Sequence, residues 1–348
     1  MPIEPSNGRA RGFTLADDPF VKGRAALDAA LVNDIDPALA GRLTTGLPAA
    51  GAVEVGAGVL RDLLSIEVRP DRFDRLVKVW AAKVGDAVER GDFASAGAWV
   101  QAAAAATPGR TEFSAAIGDA LAALATETFL GTLLGAITEA DHDDGADVLL
   151  GALGRWAAPY LIDQMAVDEP VVHRRHLVEY LSWVARADVR LVTPYVADRR
   201  WFVVRNVAIA LGRAGRATAV TALAGVTTHR DERVRVEALR ALAALDREAT
   251  IDKVAASLDD RSGRVRHAAL SLLRANPSEE VIAALAGALE AGRLDGADAK
   301  RVVAAIAERP SMRAAEALEG LAARKFAVRA GRAARDAARQ ALRRREAR

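Results

Sequence analysis

The feature that most constrains this chain is an arginine that keeps returning. In the stretch DRRWFVVRNVAIALGRAG, residues 198–215, Arg205 follows Phe202, Val203 and Val204 in the middle of an apolar, helix-forming run. A guanidinium in such a place is a site if it occurs once and architecture if it recurs. The template V-R-x-x-A-x-x-[AL]-L fits Val204-Arg205 with Ala208 and Leu211. It fits Val234-Arg235 with Ala238, Ala241 and Leu242, and Val265-Arg266 with Ala269, Leu272 and Leu273. Looser copies begin at His173-Arg174, Lys300-Arg301 and Ala334-Arg335. The arginines stand at 174, 205, 235, 266, 301 and 335, so their spacings are 31, 30, 31, 35 and 34 residues. Self-similarity at that period, with apolar positions three and four residues apart inside each copy, predicts stacked helical units.

Partner helices lie between the arginine-bearing ones. TAVTALAGV, EATIDKVAASL, SEEVIAALAGAL and SMRAAEALEGLAA all repeat apolar residues at helical spacing. The breaks THRDER, LDDRSG, ANPSEE and ERPS supply the Asp, Ser, Asn, Gly and Pro that cap helices and turn the chain. The expected fold is all-α, an α-solenoid of stacked helical hairpins with a period of about 30–35 residues.

The segments RWFVVRNVAIALGRAG and DERVRVEALRALAAL resemble the short HEAT repeats of bacterial solenoid proteins. The resemblance is clear over about residues 168–290, looser over 295–348 and weak before 165. It implies armadillo-type packing into a right-handed superhelix, with binding on the concave surface. It implies no single activity, because one fold serves many. It also implies a structural ladder, in which Arg174, Arg205, Arg235 and Arg266 pair within and between units with the aspartates Asp198, Asp231 and Asp260. A guanidinium in an apolar helix needs its donors satisfied, and a neighbouring carboxylate does that best.

Composition agrees with a helical stack. Hydrophobic residues make up 51% of the chain but aromatic ones only 5%, so the core must be built from Ala, Leu and Val. Heavy Ala and Arg usage fits a GC-rich bacterial genome. The absence of cysteine excludes disulfides, thiolate chemistry and Cys-ligated zinc. The leading MPIEPSNGRARGFTLADDPF has no apolar core of a secretory signal, and FASAGAWVQAAAAATPG is too weakly apolar to span a bilayer. The expected location is the cytoplasm.

Four regions are expected: a disordered lead over 1–20, degenerate helical hairpins over 21–165 continuous with the array, HEAT-like repeats over 166–323, and a basic capping helix over 324–348. ATPGRTE and EADHDDGAD read as loops within one elongated body, and Pro159 suits the first turn of a helix. Residues 1–165 hold 14 basic and 23 acidic side chains, while 166–348 hold 34 and 23. The last 25 residues alone hold 10 basic and 2 acidic.

Catalytic constellations are scarce. GAVEVGAGVLRDLL (51–64) mimics a glycine-rich nucleotide turn, but the third glycine is missing and Leu60, Leu63 and Leu64 continue a helix. His173, His176 and Glu179 share a helical face, yet His173 falls in the inward slot of Val204, Val234 and Val265. No His-Glu dipeptide, P-loop, HExxH or G-x-S-x-G is present. Trp183 and Trp201, with Asp188 or Asp198, form a weak match to the aromatic and acidic residues of HEAT-like DNA glycosylases; Trp201 reads better as a hairpin-corner packing residue. No cofactor and no metal are expected.

Helix geometry leaves one stripe pointing away from the core: Arg175, Glu179 and Ser182; Asn206, Ala210 and Arg213; Val236, Arg240 and Ala243; His267, Ser271 and Arg274. It leans basic. The partner-binding candidates are Arg175, Glu179, Asn206, Arg213, Arg240, His267 and Arg274. The expected function is a non-enzymatic scaffold or adaptor that binds another protein. The alternative is a nucleic-acid-binding solenoid using the stripe and the basic tail. An accessory lyase of HEAT type stands third.

Overall fold

A computed structural model describes residues 52–139, 145–166, 171–324 and 329–347, with side chains from Gly56, Arg175 and Gly331 onward in the helices that open three of these stretches. Every regular element among them is helical, as the periodicity predicts. The proposed lead over 1–20 lies outside the described residues. Contacts divide the chain into two compact units, 1–146 and 147–348. The division falls within EADHDDGAD.

The first unit contains α1 (Ala52–Ile66), α2 (Pro70–Glu89), α3 (Phe93–Ala106), α4 (Thr111–Leu124) and α5 (Glu127–Glu139). The glycine-bearing decoy is α1, a packed helix: a Cβ on Gly56 would stand 3.0 Å from the Trp99 ring. Phe73, Trp80 and Val84 recur along one side of α2 and are all fully buried. The Trp80 indole N–H donates to the Trp99 carbonyl at 2.8 Å, so a large aromatic sits in the core with its one polar atom satisfied. Arg110 closes the other end. It donates to the carbonyls of Leu64, Ser65 and Glu67 where α1 ends, and its guanidinium lies 4.0 Å over the Phe113 ring.

The second unit carries the repeat. Its arginine-bearing helices are α8 (Val171–Ala187), α9 (Trp201–Ala214), α11 (Glu232–Leu245), α13 (Gly263–Ala275), α15 (Gly296–Ala307) and α17 (Arg329–Glu346). Their partners are α10 (Val220–Val226), α12 (Ile251–Ala256), α14 (Glu280–Glu290) and α16 (Met312–Ala323). Between α8 and α9 the partner shrinks to two 3-10 turns, Val189–Leu191 and Thr193–Ala197. Two short helices, α6 (Ala146–Ala152) and α7 (Gly154–Gln164), precede the array, and α7 packs on α8. Pro159 sits inside α7 rather than in its first turn. The chain enters that helix five residues earlier, at Gly154, whose lack of a side chain admits Val184 and Leu191.

The apolar slots of the template are the core. Val204, Ala208, Leu211, Val234, Ala238, Leu242, Val265 and Ala269 are all fully buried. Burying each Val or Leu contributes roughly 1.5–3 kcal/mol. The small residues set the helix spacing. A Cβ on Gly212 of α9 would stand 2.8 Å from the Ala241 Cβ and 2.9 Å from its Cα on α11. Among the described residues no single helix is long and apolar enough to cross a membrane; the pair Thr111–Leu124 and Glu127–Ile137 passes that test only together, across a bend of 79°.

Candidate interaction surface

The turns that precede α9, α11, α13 and α15 share one device. An aspartate two residues ahead accepts a backbone N–H: Asp198 from Arg200 (2.8 Å), Asp231 from Arg233 (2.9 Å), Asp260 from Ser262 (2.7 Å) and Asp295 from Ala297 (2.9 Å). Each satisfies an orphan donor at a helix start.

The same carboxylates then meet arginines, though not always those the template suggests. Asp198 and Asp231 are held by Arg200 (3.0 and 2.8 Å) and Arg233 (3.1 and 2.8 Å), two residues away in sequence. Arg205 instead reaches Glu237 of α11, at 3.2 Å. Asp198 and Asp231 are closed into tight local rings by the arginine two residues on, which leaves Arg205 the carboxylate across the helix interface. One repeat further on, the arginine of the template meets the aspartate of the next turn. Arg235 donates Nε and Nη2 to Asp260 (2.8 and 2.6 Å) and Nη1 to the carbonyls of His229 and Arg230 (2.8 and 3.2 Å). Arg266 donates to Asp298 (2.5 Å), to Asp295 (3.5 Å) and to the Asp260 carbonyl (3.0 Å). The Arg174 side chain lies outside the described residues.

Hydrogen bonding to Arg233 holds the Asp231 carboxyl down at about 2. Arg200 lowers Asp198 in the same way. For Asp260 and Asp298 burial pushes upward, but their arginine partners outweigh it and the net direction is down.

A second ladder closes the opposite ends of these helices. Arg216 donates to the Arg186 carbonyl (2.8 Å) and Asn276 to that of Arg247 (2.7 Å). Arg309 donates to the carbonyls of Leu273, Asn276 and Ser278 (3.0, 2.6 and 3.0 Å). In the terminal helix α17, Arg345 donates to Ala307 and Arg309, and Arg339 to Ala322. These groups cap carbonyls left unpaired at helix ends. Sequence reasoning missed this ladder because its acceptors are backbone carbonyls, which no residue pattern marks.

Between the two ladders runs the stripe. Arg175, Glu179, Arg213, Arg240, His267 and Arg274 are exposed. Asn206 is not: it is 8% exposed and faces the Met165 sulfur at 3.8 Å. Ser182, Ala210 and Val236 are buried as well. A helix packed between two neighbours buries its flanks as well as its partner-facing side, so the outward stripe is narrower than an isolated helix suggests. Arg240 shares Glu237 with Arg205 (3.0 Å), and Arg274 is held by Glu308 (2.5 and 2.6 Å). Arg175 and Arg213 have no carboxylate within 4 Å among the described residues.

Trp201 packs at the hairpin corner against a cluster of Val204, Val226, Val234 and Ala238, and Arg233 covers its ring at 3.4 Å. It does not stand free to stack a base. His173 lies outside the described side chains. Among those described, no three His, Asp or Glu side chains converge as metal ligands would.

The second unit is thus an all-α repeat protein, built from stacked helical hairpins tied at both ends by polar ladders. No family model matches the chain, and no curated protein is significantly similar to it. Among solved structures it is similar to an engineered protein, with 17% identity over 93% of this chain and 95% of that one and a TM-score of 0.30. It is also similar to lipovitellin, in a structure of lipid–protein interactions, with 14% identity over 86% and 33% of the two chains and a TM-score of 0.32. UNC-45 from Drosophila melanogaster shares 13% identity over 86% and 52%, with a TM-score of 0.30. Similarity at this level transfers no residue role, and the stack stands on the chain's own contacts.

Proposed function

We propose that this chain is a HEAT-type scaffold without catalytic activity, and that a partner protein binds the outward stripe of its arginine-bearing helices. The observation that carries this reading is the exposure of Arg175 and Arg213 with no carboxylate within 4 Å among the described residues. A stack tied by polar ladders offers a surface held by its own hydrogen bonds, so binding costs little ordering of the scaffold. The nucleic-acid alternative draws on the basic tail. Part of that charge is already used: Arg339 and Arg345 cap carbonyls, and Arg335 lies 3.4 Å from Asp336.

The test is affinity capture from host lysate with the unaltered chain and with Arg175→Glu/Arg213→Glu, each with and without nuclease. A defined protein that survives nuclease and is lost with the double variant supports the reading. Capture abolished by nuclease, or indifferent to both substitutions, contradicts it.

A further inference from the structure

A different surface carries a more specific inference. At the N-terminal ends of α9, α11 and α13 stand two rows of arginines, each with a period close to that of the repeat. Arg199, Arg230 and Arg261 form the first row, spaced 31 and 31 residues, and Arg200, Arg233 and Arg264 form the second, spaced 33 and 31. The first row is exposed throughout. It is also pinned: Arg261 donates to the Arg230 carbonyl at 2.8 Å, and Arg230 to the Arg199 carbonyl at 3.4 Å. The Arg230 and Arg261 guanidinium groups are therefore held against the turn before them rather than trailing in solvent.

The carboxylates nearby are committed elsewhere. Asp198 and Asp231 are held by Arg200 and Arg233, and Asp260 by Arg235. Glu232 accepts the Ser262 hydroxyl at 2.5 Å, and Asp163 reaches Arg200 only at 3.8 Å. Arg199, Arg230, Arg261 and Arg264 have no carboxylate within 4 Å among the described residues, and the last three help line one shallow recess. Four arginines on one edge, none within 4 Å of a carboxylate among the described residues and two of them fixed by backbone carbonyls, make a periodic cationic rail beside Asp231 and Glu232.

We infer that this rail binds an acidic protein segment in polyproline II conformation, with Asp or Glu at every third residue. The argument is one of period. Packed helices lie roughly 8–10 Å apart, so the rungs recur at that interval. A polyproline II helix returns to the same face every third residue, after about 9 Å. An acidic side chain at each return meets one rung. A β-strand alternates faces every residue and places its third residue on the wrong side. Single-stranded nucleic acid is disfavoured because the edge offers no bare aromatic platform; Arg233 covers Trp201.

The rail is distinct from the stripe. Arg199 and Arg213 flank α9, separated by roughly 20 Å at 1.5 Å per residue. The test uses the full chain and fluorescent peptides at low salt: (Glu-Pro-Pro)5, a peptide of equal composition with its five Glu clustered, and an unstructured single-stranded oligonucleotide. The periodic peptide is expected to bind several-fold more tightly than the clustered one. Arg199→Gln/Arg264→Gln, which removes two guanidinium groups that make no hydrogen bond in the structure, is expected to weaken it roughly tenfold. Arg213→Gln, on the stripe, is expected to leave it unchanged.

Equal binding of the two peptides overturns the inference, as does tighter binding of the oligonucleotide with the same sensitivity to the double variant. Should the double variant melt early, the peptide comparison on the unaltered chain decides alone. Loss of peptide binding on Arg213→Gln, with no effect at Arg199 and Arg264, returns the acidic partner to the stripe and rejects the rail.

Discussion

Arg235 of α11 and Asp260, in the turn ahead of α13, are joined by two parallel hydrogen bonds, Nε to Oδ2 at 2.8 Å and Nη2 to Oδ1 at 2.6 Å. The arginine is 3% exposed. Its remaining donor goes to the carbonyls of His229 and Arg230, so this one side chain ties its own turn to the next repeat. Removing it strands a carboxylate in a partly buried site. Arg235→Ala is expected to destabilise the second unit by about 3 kcal/mol, because breaking such a pair leaves an uncompensated charge. Combining it with Asp260→Asn should recover part of that loss in a double-mutant cycle of urea denaturation. Additive losses would mean that the two groups act separately.

The spacing of α9 and α11 rests on a missing side chain. Gly212→Ala forces a methyl against Ala241 and is expected to cost about 1–3 kcal/mol by overpacking. Gly225 of α10 has nothing within 4 Å of the position a Cβ would take. There the same substitution is expected to gain about 0.5–1 kcal/mol through the lower entropy of the unfolded chain. Thermal melting of the two variants checks the contrast, and a stable Gly212→Ala would show that the two helices can separate freely.

Acid should weaken the array in a defined window. Asp198, Asp231, Asp260 and Asp298 are all held below their ordinary values, Asp231 at about 2. A carboxylate depressed in the folded state adds stability that is complete above its unfolded value of about 3.9 and is lost as pH falls through the folded value. The urea midpoint is therefore expected to stay level from pH 7 to about 5 and to fall between about 4 and 2. Arg233→Gln, which releases Asp231, should flatten the lower part of that decline. A midpoint that rises on acidification would contradict the assignment.

Arg309 caps backbone carbonyls and has no carboxylate within 4 Å among the described residues. Arg309→Ala leaves the carbonyls of Leu273, Asn276 and Ser278 without the guanidinium that joins them, at an expected cost of roughly 1–3 kcal/mol. Hydrogen exchange should report it as lost protection at the C-terminal end of α13 and in the turn to α14. Unchanged protection there would mean that water replaces the guanidinium without loss.

Much of this was legible in one dimension. The return of V-R-x-x-A, with apolar residues at three- and four-residue spacing, is enough to predict stacked helices, since only that geometry buries Val204, Val234 and Val265 alike. The breaks THRDER and LDDRSG, which hold Asp231 and Asp260, were legible as capping turns for a similar reason: a cap acts over two residues, within the reach of sequence. Tertiary structure decided what lies across the helix interfaces. It sent Arg205 to Glu237, gave Arg235 to Asp260 and drew Asn206 under the surface beside Met165. It also assembled the carbonyl ladder of Arg216, Asn276, Arg309 and Arg345. Those choices turn on which side chain reaches which neighbour over a few ångströms, between residues some 25–41 positions apart. Periodicity says that helices stack; the distances between them say which charges remain free.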